Sequence, residues 1–504
     1  MTKLFVNIDT DDCGCNFLNL IASQKSSFEE KDLYPFIDQY LGSGVTDILI
    51  CLGGQYSFAE SRVLSDAIFK YEQRIENGFP VDYREKFNGV YLAYKKYSID
   101  PVSVWVDRCR EVGLTPHLSF RMNDRHCSRD DTSNQRPTLF YEAMKNGWML
   151  GDRYGAYKTC MNFAVPDIQR VWLDFIDEQL SKYDVSGIEL DFQREIHCLR
   201  YLDEPDCHEI MTGFIREIRR RVDLHAEQRG HKISICCRLM RDIHQNLIFG
   251  FDAVTWEREK LVDMIVVAPR WECCDSDMPI KEWKDALPVT EIYAGLESLI
   301  RFDGSLFHAT PETLRGYTNR YLSDCADGIY LFNYYPVPGD ETARGKRHFE
   351  RCIEIFTTCA DKKGAQSRFM RYIVTRQDIY PEGYKPYSPL PIKLDGGEKD
   401  LNVSVGSLSD NHRVFLTVGF DGAAPQDVIV RANGRVLSDP VEYTPRAEEF
   451  RTDKCGCGYV PTGSKTFRFN VDTIIDGNYP LSFEGSNGSV TYVEFEIEPS
   501  TLQS

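Results

Sequence analysis

One segment of the chain gives a whole strand face to acids and an amide. Residues Gly187 to Glu195 read Gly-Ile-Glu-Leu-Asp-Phe-Gln-Arg-Glu. Because side chains alternate between the two faces of a strand, Glu189, Asp191 and Gln193 share one face. Burying carboxylates is costly unless they are paired, protonated or used in a reaction. The segment therefore predicts a reaction centre, and Asp191, near the carboxyl end of the predicted strand, is its leading acid.

A second acid ends another strand pattern. Residues Ile292 to Glu297 place Tyr293, Gly295 and Glu297 on one face, and the glycine predicts room for a ligand beside the acid. Two carboxyl groups, one protonated and one charged, can cleave a glycosidic bond through an oxocarbenium-like transition state. Asp191 and Glu297 are the predicted catalytic pair. Their separation, about 5 Å for retention and roughly 6.5–9.5 Å for inversion, is left open by the sequence.

The elements that must position these acids repeat a strand and a helix. Eight short apolar, β-branched runs occur in the first two thirds of the chain, with helical patterns between most of them. This alternation is typical of a (β/α)8 or TIM barrel, in which the carboxyl ends of all strands meet at one face. The predicted strands are Leu4 to Asp9, Thr46 to Gly53, Pro116 to Asn123, Gly187 to Gln193, Lys232 to Leu239, Met264 to Pro269, Thr290 to Glu297 and Gly328 to Tyr334.

The pattern changes near the end of the chain. From Pro389 onward, short alternating runs are separated by turn signals such as Asn433-Gly434, which predicts a small antiparallel β-sandwich domain. We expect a barrel over residues 1–362, a linker over 363–388 and the β-sandwich over 389–504. The runs are Leu401 to Val405, Val414 to Val418, Val428 to Val430, Thr466 to Val471 and Val490 to Ile497.

Polar side chains close most of the predicted barrel strands and are expected to bind the substrate. Trp271 is the predicted stacking platform, because the C–H faces of a sugar pack on an aromatic plane while the indole N–H can still donate. Glu272 is a reserve acid. The predicted substrate-binding residues are Asn7, Asp9, Arg121, Asn123, Asp124, His126, Glu189, Gln193, Arg238, Arg270, Trp271, Glu272, Asn333 and Tyr334.

Size and charge exclude several classes of partner. The chain has 504 residues, with 59 Lys and Arg against 77 Asp and Glu, which gives a formal net charge of -18. Nucleic acid and anionic membranes are unfavourable partners for such a surface, whereas a neutral oligosaccharide or glycoside is not. The start of the chain enters a strand pattern without the features of a secretory signal, so we expect a cytoplasmic location. Whether the chain forms a homo-oligomer stays open.

The cysteines do not predict a metal site. The chain has 17 of them, and close pairs such as Cys236/Cys237 and Cys455/Cys457 lack the spacing of a zinc half-site. Many lie inside apolar patterns, where a reducing compartment would keep them as small buried hydrophobic side chains. We therefore expect no cofactor and no bound metal.

The strand around Asp191 resembles the chitinase-type motif DGxDxDxE, with Ser186, Gly187, Glu189, Asp191 and Gln193 at the five marked positions. In chitinases the last Glu is the general acid. Here Gln193 has no proton to donate, which argues against substrate-assisted chitinase chemistry.

The position of Glu297 is similar to that of the nucleophile in the large clan that includes many β-glycosidases. Retaining barrels of that clan carry an acid/base on strand four and a nucleophilic Glu at the end of strand seven, although their strand-four Asn-Glu pair is absent here. The resemblance implies Asp191 as the acid/base and Glu297 as the nucleophile. The reverse assignment stays open.

Larger parts of the chain resemble a bacterial family of glycoside-hydrolase-like (β/α)8 proteins that usually have a small β-domain behind the barrel. The resemblance implies a hydrolase of O-glycosyl bonds, although for such families the reaction class itself leans on fold analogy. It is carried by Arg121 to Asp124, Gly187 to Arg194, Pro269 to Glu272, Gly295 to Glu297 and Leu331 to Tyr334.

Other interpretations of the same residues stay open. Glu189 and Asp191 can be structural ion-pair partners of barrel arginines. Gln193, in place of a general acid, also suits a carbohydrate-binding barrel without catalysis. A metal-dependent sugar isomerase or amidohydrolase could use the remaining polar cluster, although a separation of nine positions between its two histidines is not a recognised ligand spacing. That cluster consists of His117, His126, Asp124 and Glu272.

Overall fold

The computed structural model of the protein describes most of the chain. The described residues are 2–76, 78, 86–124, 138–269, 277–302, 305–374, 389–408, 412–445, 447, 463–471 and 477–499.

Eight parallel strands form the first domain. They are β1 Lys3–Asp9, β2 Asp47–Cys51, β3 Thr115–Arg121, β4 Gly187–Asp191, β5 Ser234–Met240, β6 Met264–Ala268, β7 Glu291–Glu297 and, after the hairpin β8 Leu299–Phe302 and β9 Ser305–His308, β10 Gly328–Phe332. They close into a barrel in the order β1-β10-β7-β6-β5-β4-β3-β2. The predicted (β/α)8 barrel is confirmed.

Helices connect the strands around the outside of the barrel. Within the described residues, none is both long and apolar enough to cross a bilayer. The α-helices are α1 Cys15–Gln24, α2 Pro35–Asp38, α3 Ala67–Glu76, α4 Asn88–Tyr91, α5 Pro101–Glu111, α6 Thr138–Asn146, α7 Pro166–Lys182, α8 Cys207–Arg229, α9 Ile243–Ile248, α10 Ala253–Arg258, α11 Ile280–Ala286, α12 Pro311–Ser323, α13 Ala343–Cys359 and α14 Lys362–Gln366. Short 3₁₀ or π turns cover Thr10–Gly14, Glu30–Leu33, Leu92–Lys96, Asp152–Tyr157 and Pro425–Asp427.

The side chains of the barrel strands divide between two environments, as a period of two requires. Ile188 and Leu190 of β4 belong to the large core that the strands share with the helices. The alternate positions of the strands form a separate cluster inside the barrel, made of Phe5, Leu49, Cys236, Met264, Val266, Ala268, Tyr293, Tyr330 and Phe332. The barrel is therefore a packed core and not a pore.

Two antiparallel sheets form the second domain. The strands are β11 Met370–Ile373, β12 Ile392–Lys393, β13 Glu398–Gly406, β14 His412–Asp421, β15 Ile429–Ala432, β16 Arg435–Val436, β17 Val441–Glu442, β18 Lys465–Val471, β19 Gly477–Glu484 and β20 Ser489–Pro499. One sheet has six strands, in the order β11-β20-β14-β18-β17 with β12 also on β20, and the other has the order β13-β19-β15-β16. The rings of Tyr479 and Phe495, 4.8 Å apart, join the two sheets. The predicted antiparallel β-domain is confirmed.

The β-domain takes one strand from the segment that we expected to be a linker. Met370–Ile373 pairs with the last strand, Met370 opposite Ile497. A four-residue strand is too short to show a clear period, and only its distant partner reveals it.

Helix α12 joins the two domains. All of its residues from Thr313 to Tyr321 are buried. Asn319 donates from Nδ2 to the hydroxyl of Tyr372 and to the backbone oxygen of Val405, both at 3.0 Å. A methyl group on Gly316 would overlap the backbone oxygen of Arg371. The helix can therefore pack this closely on the β-domain only with glycine at that position.

Gly316→Ala is expected to lower the free energy of unfolding by about 1 to 3 kcal/mol, because the added methyl forces the two domains apart. The midpoint of urea unfolding measures the effect. Gly213→Ala in α8 is the matched control, since an added Cβ there meets nothing within 4 Å. The control should gain roughly 0.5 to 1 kcal/mol from the lower entropy of its unfolded chain and its better helix propensity. Equal midpoints for the two variants would show that the domains do not depend on this contact.

Candidate active site

Asp191 and Glu297 lie at the same end of the barrel. Each is the last residue of its strand, β4 or β7, and the two strands are separated by β5 and β6. Both side chains face the interior of the barrel. Asp191 is paired with Arg238 on β5, and Arg238 is paired with Val266 of the interior cluster on β6. Glu297 is paired with Phe332, which also belongs to that cluster. Asp191 is 0% exposed and Glu297 is 3% exposed. The structure thus brings the predicted pair to the catalytic face that a TIM barrel uses.

Asp191 forms a buried ion pair. Nε of Arg238 lies 2.9 Å from Oδ1 of Asp191, and Nη2 lies 3.3 Å from Oδ2. The backbone N–H of Gln193 also donates to Oδ1, at 3.0 Å. Cζ of the Arg238 guanidinium also lies 3.9 Å from the centre of the Phe332 ring. Asp191 is therefore held by charge-assisted contacts from a buried guanidinium.

Glu189 is a second buried carboxyl on the same strand face. Its Oε2 accepts a hydrogen bond of 2.8 Å from Nδ2 of Asn7, which also donates to Oγ of Ser119 at 3.1 Å. Burial and the charge of Asp191 together raise the pKa of Glu189 to about 7, against the lowering effect of Arg238. Asp191 therefore has a neighbour that can hold a proton near neutral pH.

The raised pKa of Glu189 predicts a pH-dependent stability. Because the folded state binds this proton more tightly than the unfolded chain, whose pKa is about 4.5, the free energy of unfolding should fall as the pH rises from about 4.5 to about 7. Glu189→Gln keeps an acceptor for Asn7 and removes the charge. At pH 8 it should be about 1 to 3 kcal/mol more stable than the wild type, and near pH 4.5 about equal. Parallel unfolding curves for the two proteins across this range would contradict the shifted pKa.

Glu297 is surrounded by hydrogen-bond donors. Its Oε1 accepts from the backbone N–H of Ser298 at 2.8 Å and from the hydroxyl of Ser298 at 3.3 Å. Its Oε2 accepts from Nδ2 of Asn333 at 2.7 Å. The hydroxyl of Tyr334 donates to the backbone oxygen of Glu297 at 3.3 Å. Donors that face both carboxylate oxygens stabilise the charged form.

Gly295 has a different role from the predicted one. A Cβ at this position would lie 2.6 Å from Cβ of Ala268 and 3.2 Å from Cγ1 of Val266. The expectation that this glycine leaves room for a ligand is therefore wrong. It allows strand β7 to pack closely against the side chains of β6.

A third group of charges lies at the ends of β1 and β3. Nη2 of Arg121 is 2.7 Å from Oδ2 of Asp9, and the hydroxyl of Tyr335 is 3.4 Å from the same oxygen. Asp124 lies 3.8 Å from Nη1 of Arg121 and 4.0 Å from Nε of Arg194. Arg121 thus holds carboxylates of the protein itself, as its planar fork of donors allows.

Two amide side chains differ in what they leave for a ligand. Asn123 donates from Nδ2 to the backbone oxygens of Met161 and His197, at 3.2 and 2.9 Å, and its Oδ1 accepts from the N–H of Met161 at 3.1 Å. Its side chain therefore holds two loops together. Gln193 donates from Nε2 to the backbone oxygen of Ala268 at 2.8 Å, while its buried Oε1 has no hydrogen-bond partner among the described residues. That oxygen can accept a hydrogen bond from a ligand.

Four predicted site residues lie outside the described residues, namely His126, Arg270, Trp271 and Glu272. Of the proposed metal cluster, His117 is buried and bonds through Nε2 to Oδ1 of Asp47, at 2.8 Å. In the part of the chain that the structure describes, no group of three or more His, Cys, Asp or Glu residues could hold a metal ion.

Ser298 was not predicted from the sequence as a site residue, and Tyr335 was recognised only as one of the residues that close the eighth barrel strand. Ser298 directly follows Glu297, and Tyr335 lies two residues after Asn333. Their positions after strand ends were a usable signal. Their hydrogen-bond partners across the barrel could not be predicted, because a strand pattern contains no information on which strands meet.

Comparison with known proteins gives only distant structural likeness. No protein-family model matches the chain, and no curated protein matches it. A family 18 N-acetylglucosaminidase from Paenibacillus barengoltzii is 10% identical, over 72% of this chain and 100% of that chain, with a TM-score of 0.38. The α-L-fucosidase isoenzyme 1 from Paenibacillus thiaminolyticus is 12% identical, over 97% and 96%, with a TM-score of 0.35. A family GH18 chitinase from Chromobacterium violaceum is 10% identical, over 80% and 77%, with a TM-score of 0.32. Likeness at this level does not bear on the reaction.

Proposed function

We propose that the protein hydrolyses glycosidic bonds of an oligosaccharide at the carboxyl-terminal mouth of the barrel, with Asp191 and Glu297 as the two carboxyl groups. The observation that carries the proposal is their placement. Each is the last residue of its strand, and both side chains face inward at the same end of a closed barrel. Strands β5 and β6 lie between them on the shorter path around the barrel. A substrate between them can be attacked from one side and protonated from the other.

Glu297 takes the charged role. Three donor contacts, from the N–H and hydroxyl of Ser298 and the amide of Asn333, support its ionised carboxylate. The negative charge of the Glu297 carboxylate stabilises the positive charge that develops on the sugar ring. An oxygen of this carboxylate can also attack the anomeric carbon. Glu297 is therefore the proposed nucleophile.

Asp191 takes the acid/base role together with Glu189. Asp191 is held in an ion pair with Arg238, and in this proposal the proton for the leaving group is stored beside it. Glu189, with a pKa of about 7, lies two residues away on the same face and stores that proton. Glu189 gives its proton to Asp191, and Asp191 delivers it to the glycosidic oxygen as the bond to the leaving group breaks. When water later attacks the sugar, Asp191 accepts a proton from that water and returns it to Glu189.

A second candidate is a carbohydrate-binding barrel without catalysis. Asp191 is fully buried and paired with Arg238, which also suits a purely structural carboxylate. Gln193 stands where the chitinase-type motif has its acid, and its Oε1, which has no hydrogen-bond partner in the described part of the chain, suits binding. This candidate predicts affinity for sugars and no turnover.

A hydrolysis screen separates the two candidates. Purified protein is incubated with a panel of aryl glycosides and natural oligosaccharides, and released aglycone or reducing ends are measured. Turnover by the wild type that is lost in Glu297→Gln supports the hydrolase. Sugar binding by calorimetry without turnover on any substrate supports the binding barrel. Turnover that survives in Glu297→Gln would remove this residue from the mechanism.

A further inference from the structure

Asn333 has an unusual backbone conformation directly after β10. Its φ is +65°, in the left-handed region. For a residue with a side chain this region costs about 1 kcal/mol or more, and asparagine tolerates it better than most. Strained residues of this kind persist where the surrounding structure holds them, which is often at a functional site.

The side chain of Asn333 lies between two polar groups. Its Nδ2 donates to Oε2 of Glu297 at 2.7 Å, and its Oδ1 accepts from the hydroxyl of Tyr335. These partners determine which end of the amide is which, because a carboxylate needs a donor and the phenol supplies one. One contact at each end holds the amide in a single orientation.

Tyr335 extends this contact across the mouth of the barrel. Its hydroxyl also lies 3.4 Å from Oδ2 of Asp9, which pairs with Arg121 at 2.7 Å. Burial and the charge of Asp9 raise the pKa of Tyr335 well above its usual range, so the phenol keeps its proton and remains a donor. The chain of contacts links the ends of β7, β10, β1 and β3.

We infer that Asn333 is a positioning residue for Glu297, which fixes the direction of its Oε2 and stabilises its charge. The inference depends on the proposed function in one respect, namely that Glu297 is a catalytic residue. The left-handed backbone aims the amide at Glu297, and Tyr335 prevents the amide from turning. It adds an orienting role to the substrate-binding role that the sequence predicted for Asn333.

The chain contains a matched control for the backbone. Asn433, in the turn between β15 and β16, has a φ of +53°. Neither polar atom of its side chain has a hydrogen-bond partner among the described residues. Substitutions there test the left-handed backbone without a neighbouring carboxylate to orient.

The experiment titrates the carboxyl carbon of Glu297 by NMR in protein labelled with ¹³C at glutamate side-chain carboxyls, with Glu297→Gln identifying the resonance. Asn333→Asp places a second carboxyl against Glu297, so the pKa of Glu297 should rise by about one unit or more. Asn333→Gly allows the left-handed backbone and removes one donor, so it should raise the pKa by a smaller amount. Asn433→Asp and Asn433→Gly should leave the titration unchanged.

Activity provides the second measurement. In Asn333→Gly, kcat should fall about 10- to 100-fold through loss of orientation, while KM changes much less. The acidic limb of the pH profile should move upward in Asn333→Asp by the same amount as the NMR titration.

The two proposals fail in different ways. The titration needs no substrate, so an absence of hydrolysis in the wild type would refute the proposed function and leave the NMR result standing. An unchanged titration of Glu297 in both Asn333 variants would overturn the positioning role, whether or not the wild type hydrolyses glycosides. Asn333→Gly keeps the test decisive if Asn333→Asp does not fold.

Discussion

Glu297→Gln is expected to reduce kcat on the best glycoside found in the screen by at least about 1000-fold, with little loss of stability. A glutamine amide keeps the shape of the side chain but is neither a nucleophile nor a negative charge for the oxocarbenium-like transition state. Its Oε1 can still accept from the N–H of Ser298, which preserves local structure. Steady-state kinetics measures the first effect, and the midpoint of thermal unfolding measures the second.

The controls for this prediction separate chemistry from packing. Glu227→Gln, at an exposed position on α8, should keep full activity. Asp191→Asn should also lose turnover, but unlike Glu297→Gln it should lose stability, because the charge that balances the buried Arg238 disappears. If Glu297→Gln retains more than about a tenth of the wild-type kcat, a nucleophilic role for this residue is untenable.

The strands were predictable because their signal is local. Short apolar, β-branched runs located all eight barrel strands to within two residues at each end, and the period of two assigned the faces of their side chains. The same alternation placed Asp191 and Glu297 at strand ends on inward faces. Strand β19, Gly477–Glu484, was missed, since Asn478 and Pro480 interrupt its apolar pattern and only pairing with β13 and β15 defines it.

The contacts within the site were not predictable because they depend on distant parts of the chain. Arg238 was recognised as a strand-end residue, but its pairing with Asp191 follows from the register between β4 and β5. Gly295 was misread because Ala268 and Val266, which fill the space beside it, lie on another strand. A sequence pattern assigns a face to a side chain, and the packing of neighbouring strands then decides what that face contacts.

Arg238→Met is expected to destabilise the protein by about 3 to 5 kcal/mol at neutral pH. Methionine fills much of the space of the arginine stem but leaves Asp191 charged, fully buried and without its guanidinium partner. It also leaves the ring of Phe332 without the cation that lies 3.9 Å above it. Chemical unfolding measures the loss. Arg216→Met is the matched control, because Arg216 also pairs with a carboxylate, Glu259, but on the surface, where such pairs contribute less than about 1 kcal/mol.

The double variant Arg238→Met with Asp191→Asn distinguishes a buried ion pair from simple packing. Once both charges are gone, no buried charge is left unpaired, so the double variant should recover about 2 kcal/mol or more relative to the sum of the single effects. In Arg238→Met alone, acidification should recover part of the loss, because an unpaired buried Asp191 takes up a proton more readily in the folded state than in the unfolded chain. Additive single effects would mean that Arg238 stabilises the barrel through its stem and not through Asp191. The acid/base role proposed for Asp191 would then have to be assigned without this guanidinium.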